Sequence, residues 1–416
     1  MTKETAIACI ESLSRGLTRR SASEKGRAPL DNPGRTRTLL GFLGNPEKKL
    51  RVIHVCGSNG KGSVCAMLES ILRSAGYRTG LFTSPHLQDF CERIRVDGDM
   101  ISGEKLAALT EKLLPAAEAM PDKPGLFCFL TALALDYFAE EKCDYVILET
   151  GIGGRHDSTN VIGSPELVIV TNIGLEHTEI LGDTITQIAR DKAGIIKPGC
   201  SVAAYDSSPE ALREIRKACV NCQVPLQVAD FSAASGYDLA LPGKYQTRNA
   251  SLVLTAVTML RGRGVSIPED AVRDGLAHVR WPARFEAVRN DPPLIIDGGH
   301  NPQCARALTE TLESLYTGQP VIFVIGMMKN KNYEETVRIL MEIPGKFYCC
   351  EPPDERALNA CELKDCITRA GGEALSFGQT ADALSAALNA SDGNPVIVFG
   401  SLYLAGQVRD LLELKP

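Results

Sequence analysis

Short apolar runs alternate with longer segments of helical periodicity through most of the 416-residue chain. The stretches "LRVIHV", "YVILET", "LVIVTNI" and "SVAAY" are nearly continuous in apolar residues, which fits strands buried on both faces of a sheet. Between them, "GSVCAMLESILRSAG" and "DTITQIARDKAGII" repeat their apolar positions with a helical period. A second series begins after "RNDPP", residues 289–293, with "LIIDGG", "VIFVIGMM", "KFYCCE" and "PVIVFGS". The alternation predicts an α/β protein. The Asp-Pro-Pro punctuation predicts a mainly parallel sheet domain over residues 1–291, followed by a smaller Rossmann-like α/β domain over 292–416.

Composition adds mainly exclusions. The chain is 44% hydrophobic and 23% charged, with a formal net charge of −6. That balance predicts a globular protein without bulk attraction to nucleic acid, although a local basic pocket for a small anion remains compatible with it. No run of about 20 apolar residues predicts a membrane span. The opening "MTKETAIACIESLSRG" lacks the apolar core of a secretion signal, so a cytoplasmic, monomeric protein with no membrane partner is expected. Of fourteen cysteines, the closely spaced ones are Cys219 and Cys222, Cys349 and Cys350, and Cys361 and Cys366. No second C-x-x-C accompanies the first, so reduced, buried thiols are expected rather than a zinc site.

Candidate chemistry starts at "HVCGSNGKGS", residues 54–63, where an apolar strand passes through a glycine-containing turn into a helix. Such a turn presents backbone N–H groups to an anion, and Lys61 adds a point charge. The stretch departs from the usual G-x-x-x-x-G-K-[ST] phosphate loop. Val55 stands in the first glycine's place, and Gly62 separates Lys61 from Ser63. Glu149 ends one strand and His177 follows another by a few residues, positions from which both face the crevice beyond the strand ends. Read alone, they fit an exposed strand-end acid and a loop histidine equally well. Lys192 reads as a solvated helix lysine, and Arg284 as a surface arginine.

The variant loop Gly57-Ser58-Asn59-Gly60-Lys61-Gly62-Ser63 resembles the nucleotide loop of the Mur ligase superfamily, which uses ATP to join an amino acid to a carboxylate. "GYRTGLFTSPHLQDFCERIRV", "ETGIGGRHDSTNVI", "TNIGLEHTEILGDTITQIARDKAGIIKPG", "LPGKYQTRNA", "RWPARFE", "DGGHNP" and "FGSLYLAG" follow in order. Together they resemble the folylpolyglutamate synthase/dihydrofolate synthase branch. The resemblance implies a ligase that adds L-glutamate to a folate or to dihydropteroate through an acyl phosphate. It implies that residues 57–63, Asn249, Arg284, Asp297 and His300 hold ATP. It further implies two magnesium ions, one on Ser84 and Glu149 and a second on His177 and Lys192, with Lys192 converted by CO₂ into a carbamate. Ordinary phosphate-loop reasoning offers Ser63 as the rival to Ser84. Lys61, His177 and Lys192 would be the catalytic groups. Closure of the second domain over ATP is expected to exclude water from the intermediate.

The acceptor side departs from the family pattern. In "GLFCFLTALAL", Cys128 follows Phe127 where an acid is usual, and His156 precedes Asp157 and Ser158 where leucine is usual. Cys91 replaces a common asparagine. Phe127, Cys128, His156, Asp157 and Ser158 are therefore expected on the acceptor side, with the choice of acceptor left open. A small-molecule kinase would share the loop but would release a phosphorylated acceptor. A peptidoglycan-precursor ligase would usually carry a further N-terminal domain. A non-catalytic nucleotide-binding protein is disfavoured, since Lys61, Glu149, His177 and Asp297 are all present.

Overall fold

The computed structural model describes residues 1–21 and 32–416. Its first sheet has eight strands: β1 (Val52–Cys56), β2 (Thr79–Phe82), β3 (Ile94–Val96), β4 (Asp99–Met100), β5 (Tyr145–Glu149), β6 (Leu167–Val170), β7 (Ser201–Ala204) and β8 (Leu226–Val228). They lie in the order β4-β3-β2-β5-β1-β6-β7-β8. Every pairing is parallel except β2 with β3 and β3 with β4. The four apolar runs of the first series became β1, β5, β6 and β7, which are buried along their whole length. Because β1 lies between β5 and β6, the loops leaving these three strands converge at one end of the sheet, where open parallel sheets bind ligands.

A second sheet comprises β9 (Glu286–Asn290), β10 (Pro293–Ile296), β11 (Val321–Ile325), β12 (Gly345–Cys349), β13 (Glu373–Ser376) and β14 (Val396–Phe399), in the order β13-β12-β11-β14-β10-β9. Only β9 runs antiparallel to its neighbour. Along β11, Phe323 and Ile325 enter one apolar cluster while Ile322 and Val324 enter another. This sheet is therefore buried on both faces, as the uninterrupted apolar run requires.

The chain forms two compact units, one of residues 1–86, 90–239 and 248–279, the other of residues 87–89, 240–247 and 280–416. The sequence-based boundary at 291/292 falls inside the second unit. Its Asp-Pro-Pro punctuation is the turn of the β9–β10 hairpin, in which Asn290 pairs with Pro293. The more polar β9 is an edge strand of that sheet, so the unit begins before it. All fourteen cysteines are free and most are buried. Among the described residues, no helix is long and apolar enough to cross a membrane.

Candidate active site

The loop after β1 is shaped by close approaches that only glycine permits. Gly57 has φ +145°, and a Cβ there would lie 1.8 Å from Thr171 Oγ1. Gly60 has φ +87°, and its Cβ would lie 2.7 Å from Asn249 Oδ1. The structure thus brings Asn249, on the helix Lys244–Gly262, directly against the loop. The rest of the loop is tied to the end of β6. The Ser58 amide donates to Asn172 O at 2.7 Å. The Ser58 hydroxyl donates to Gly174 O at 3.1 Å and accepts from Gly174 N at 3.0 Å. Thr171 Oγ1 donates to Asn59 O at 2.8 Å. Gly60 caps the helix Lys61–Ser74, whose first turn contains Gly62 and the buried Ser63. A helix start of this kind is the backbone arrangement that suits an anion. Lys61 curls over the loop, with Nζ donating to Gly57 O at 3.0 Å and Ser58 O at 3.2 Å.

A second lysine reaches the same carbonyl. Lys192 ends the helix Ile185–Lys192, and its Nζ donates to Gly57 O at 2.7 Å. It also pairs with Glu176 Oε1 at 2.8 Å, the two side chains being only 1% and 11% exposed. The solvated-lysine reading is therefore overturned: helix Ile185–Lys192 turns this side chain inward beneath the loop after β1. Burial pushes the Lys192 pKa down, against the pull of Glu176. Burial resists ionisation of Glu176 too, but Lys192 and Lys61 override it and hold its pKa at about 2. Sequence reasoning missed Glu176. The available signal was its place beside His177 at the end of "LVIVTNIGLE". His177 occupies the left-handed region at φ 46° and caps the short helix Thr178–Leu181.

Glu149 ends β5 with its carboxylate buried, and its Oε2 accepts the Ser84 amide at 2.9 Å. The predicted pair of metal residues is thereby assembled after β2 and β5. Among the described residues no group of three or more His, Cys, Asp or Glu side chains forms a metal cage. The donor set here, a buried carboxylate beside a serine, fits a hard ion such as magnesium that takes its remaining ligands from phosphate oxygens and water.

Among the residues expected on the acceptor side, Asp157 has a building role. Its Oδ2 accepts the amides of Gly151 at 2.9 Å and Ile152 at 3.0 Å, while its Oδ1 accepts from the amide of Thr159 at 3.0 Å and its hydroxyl at 2.5 Å. Burial raises its pKa against these donors. Since the Thr159 hydroxyl donates to Asp157, His54 Nε2, 2.7 Å from Thr159 Oγ1, is the donor in that contact. This buried network fixes the "GIGGRHDST" loop to β1. Cys128 Sγ lies 3.2 Å from Ser158 Oγ, and Phe127 packs on Phe82 and approaches Gly151. His156 alone of the five is exposed.

In the second unit, Asp297 follows β10 and is likewise engaged by its own surroundings. Its Oδ1 accepts from Gly299 N at 2.7 Å, and its Oδ2 from Phe285 N at 3.0 Å and Tyr245 Oη at 3.1 Å. Burial raises its pKa, with the Arg284 cation acting in opposition. Arg284 Nη1 donates to Ala283 O at 3.1 Å, and His300 Nδ1 lies 3.2 Å from Gly298 O. Tyr245 is a partner that sequence reasoning did not identify.

Comparison with known proteins places both units in one family. Residues 55–224 match the Mur ligase middle domain, and residues 283–402 match the Mur ligase glutamate ligase domain. A dihydrofolate synthase/folylpolyglutamate synthase of Bacillus subtilis (strain 168) is 35% identical over 410 residues, covering 91% of this chain and 94% of its own. The Escherichia coli protein solved with DHPP and ADP superposes with a TM-score of 0.87 at 29% identity, over 99% of this chain and 98% of its own. A bifunctional folylpolyglutamate synthase/dihydrofolate synthase from Yersinia pestis, complexed with AMPPNP and a Mn ion, gives 0.82 at 29% identity, over 94% and 95%. With relatedness spanning both units, the chain belongs to the folylpolyglutamate synthase/dihydrofolate synthase family of Mur ligases.

Proposed function

We propose that this protein is an ATP-dependent ligase that joins L-glutamate to a folate-type carboxylate, with dihydropteroate and reduced folates as the acceptor class. The observation that carries the reading is the convergence of Lys61 and Lys192 on the carbonyl of Gly57, inside an anion-binding loop at the helix start. A carboxylate is inert to an amine until its oxygen is made a leaving group. The acceptor carboxylate attacks the γ-phosphorus of ATP, giving an acyl phosphate and ADP. The amino group of glutamate then attacks the acyl carbon and orthophosphate departs.

In this reading residues 57–63 and Asn249 hold the phosphates, joined by Arg284, Asp297 and His300 of the second unit. Lys61 offsets the charge that otherwise keeps two anions apart. Ser84 and Glu149 hold one magnesium ion, which supplies Lewis-acid neutralisation of phosphate charge. His177 and Lys192 hold a second, with Lys192 as its carbamate. Burial of Lys192 supports this by favouring the uncharged amine that adds to CO₂, while the Glu176 ion pair is the contact that modification would have to replace. Phe127, Cys128, His156, Asp157 and Ser158 form the acceptor side, Asp157 through the loop it organises. Cys128 and His156 bear on which folate is taken.

The test offers dihydropteroate and tetrahydrofolate separately with MgATP and labelled glutamate, and identifies products by mass. Glutamylated product with at least one acceptor is expected. Oxygen-18 placed in the acceptor carboxyl should appear in the released orthophosphate; unlabelled orthophosphate beside amide product would remove the acyl phosphate from the scheme.

A further inference from the structure

The "GIGGRHDST" loop is anchored at both ends. Asp157, through Thr159 and His54, ties its far end to β1. Its near end is held by the last turn of the helix Ile185–Lys192. Asp191 Oδ1 accepts the Gly154 amide at 2.8 Å, and the Asp191 carbonyl accepts the Arg155 amide at 2.9 Å. The end of a helix leaves carbonyls to be satisfied from outside it, and here a loop amide does so.

Glycines allow this approach. Gly153 has φ +71°, and a Cβ there would lie 2.2 Å from Asp191 Oδ1. A Cβ on Gly154 would lie 2.5 Å from the Lys192 carbonyl oxygen and 2.8 Å from Lys192 Cα. Gly194 passes equally close, since a Cβ on it would meet Arg155 Cβ at 2.6 Å. Asn160 completes the arrangement, its Nδ2 donating to Arg155 O at 3.0 Å and Gly194 O at 3.3 Å. Between Gly153 and Asp157 only Arg155 and His156 are exposed. The residue after Asp191 is Lys192, which donates to Gly57 O. Two consecutive residues of one helix therefore hold two loops, Asp191 the loop after β5 and Lys192 the loop after β1. All these groups belong to the first unit.

We propose that Asp191 is a positioning residue for the acceptor, clamping the turn at residues 153–155 to the helix that carries Lys192. The proposal rests on the reading above that His156, Asp157 and Ser158 lie on the acceptor side. With the far end fixed on β1, the near end decides how the exposed tip at Arg155 and His156 is presented. A carboxylate accepting a backbone amide is a strong, directed contact, and it fixes that end in one place. Because the same helix end reaches the Gly57 carbonyl, the clamp also keeps the acceptor-side loop in register with the loop after β1, and a small misplacement between reacting groups is costly.

Three variants test it. Asp191→Ala removes the acceptor of the Gly154 amide. Asp191→Asn keeps an accepting oxygen in its place. Gly154→Ala drives a Cβ into the Lys192 backbone and leaves the Asp191 side chain intact. The Kd for dihydropteroate and for tetrahydrofolate is measured by equilibrium dialysis with ADP and without divalent metal, and steady-state constants are measured alongside. Each alanine variant should weaken acceptor binding by roughly tenfold and raise the acceptor KM to match, while the KM for MgATP changes by less than about twofold. Asp191→Asn should stay within about threefold of wild type. Amide hydrogen exchange at Gly154 should be faster in Asp191→Ala. If one alanine variant does not fold, the other decides together with Asp191→Asn. Wild-type acceptor affinity or unchanged exchange at Gly154 in Asp191→Ala would overturn the proposal, whatever its melting temperature. Equal rises in both KM values, or an Asp191→Asn protein no better than Asp191→Ala, would do the same. Failure of the ligase reading is separately visible, because the wild-type protein would then bind neither acceptor and release no phosphate that depends on acceptor and glutamate.

Discussion

The loops after β1 and β10 look alike in sequence and differ in chemistry. Each follows the first parallel strand of its unit's core, contains glycines and leads into a helix, Lys61–Ser74 in one and Pro302–Leu315 in the other. After β1, two lysine amino groups donate to the Gly57 carbonyl beside a helix start, and one of them also pairs with Glu176. After β10, the prominent polar group is an acid turned inward, with Asp297 accepting from two amides and a tyrosine hydroxyl. A polar residue at a strand end can serve as ligand or as builder of its own loop, and hydrogen-bond accounting separates the roles better than position does.

The sharpest test of that contrast is Lys61→Ala. It should cost about 10²–10³ in kcat with the fold intact, since in the proposed reading it removes a charge that stabilises phosphate in the transition state. A variant retaining most of its turnover would make the two loops equivalent after all. Asp297→Ala should behave in the opposite manner. Leaving three donors without their acceptor should lower stability by about 2–4 kcal/mol, read as a fall in melting temperature in the absence of ligand. An unchanged melting temperature with a raised KM for ATP would recast Asp297 as purely a ligand.

The third test concerns the network that ties the "GIGGRHDST" loop to β1. Burial first, then Lys197, lowers the His54 pKa from an ordinary 6.5 to about 3. The imidazole therefore stays neutral in the fold but gains a proton when the chain unfolds below 6.5. Stability present above that pH should be lost as pH falls toward 3, by up to about 1.4 kcal/mol per pH unit from this residue. Urea unfolding of wild type and His54→Gln between pH 7 and 4 checks it; parallel pH slopes in the two proteins would count against it. The smallest effect is expected for His156→Ala. An exposed side chain should change stability by no more than about 0.5 kcal/mol, so any effect belongs in the KM for the acceptor.

The apolar runs made the parallel strands legible because burial on both faces leaves an uninterrupted signal. Short or polar edge strands such as β4, β8 and β9 carry no such signal, so the Asp-Pro-Pro turn between β9 and β10 reads in the sequence like a boundary. At the site, Lys61 and Glu149 were readable from their places beyond strands. Lys192 is reached only through the family resemblance, because nothing in "IARDKAGII" itself reveals that the helix turns its last residue under a loop 135 positions earlier. Glu176 escaped for the same reason: its importance lies in a partner distant in sequence. Asp157 was expected against a substrate, while its four hydrogen bonds give it a part in holding up the loop.

The amide of Asn249 fills the volume that any side chain at position 60 would need. Shortening 249 would clear that volume but would leave the φ of +87° at 60, which strains any other residue, so position 60 is constrained twice over. Randomising both positions together should still return glycine at 60, while residue 41, where a glycine meets no neighbour, accepts change independently.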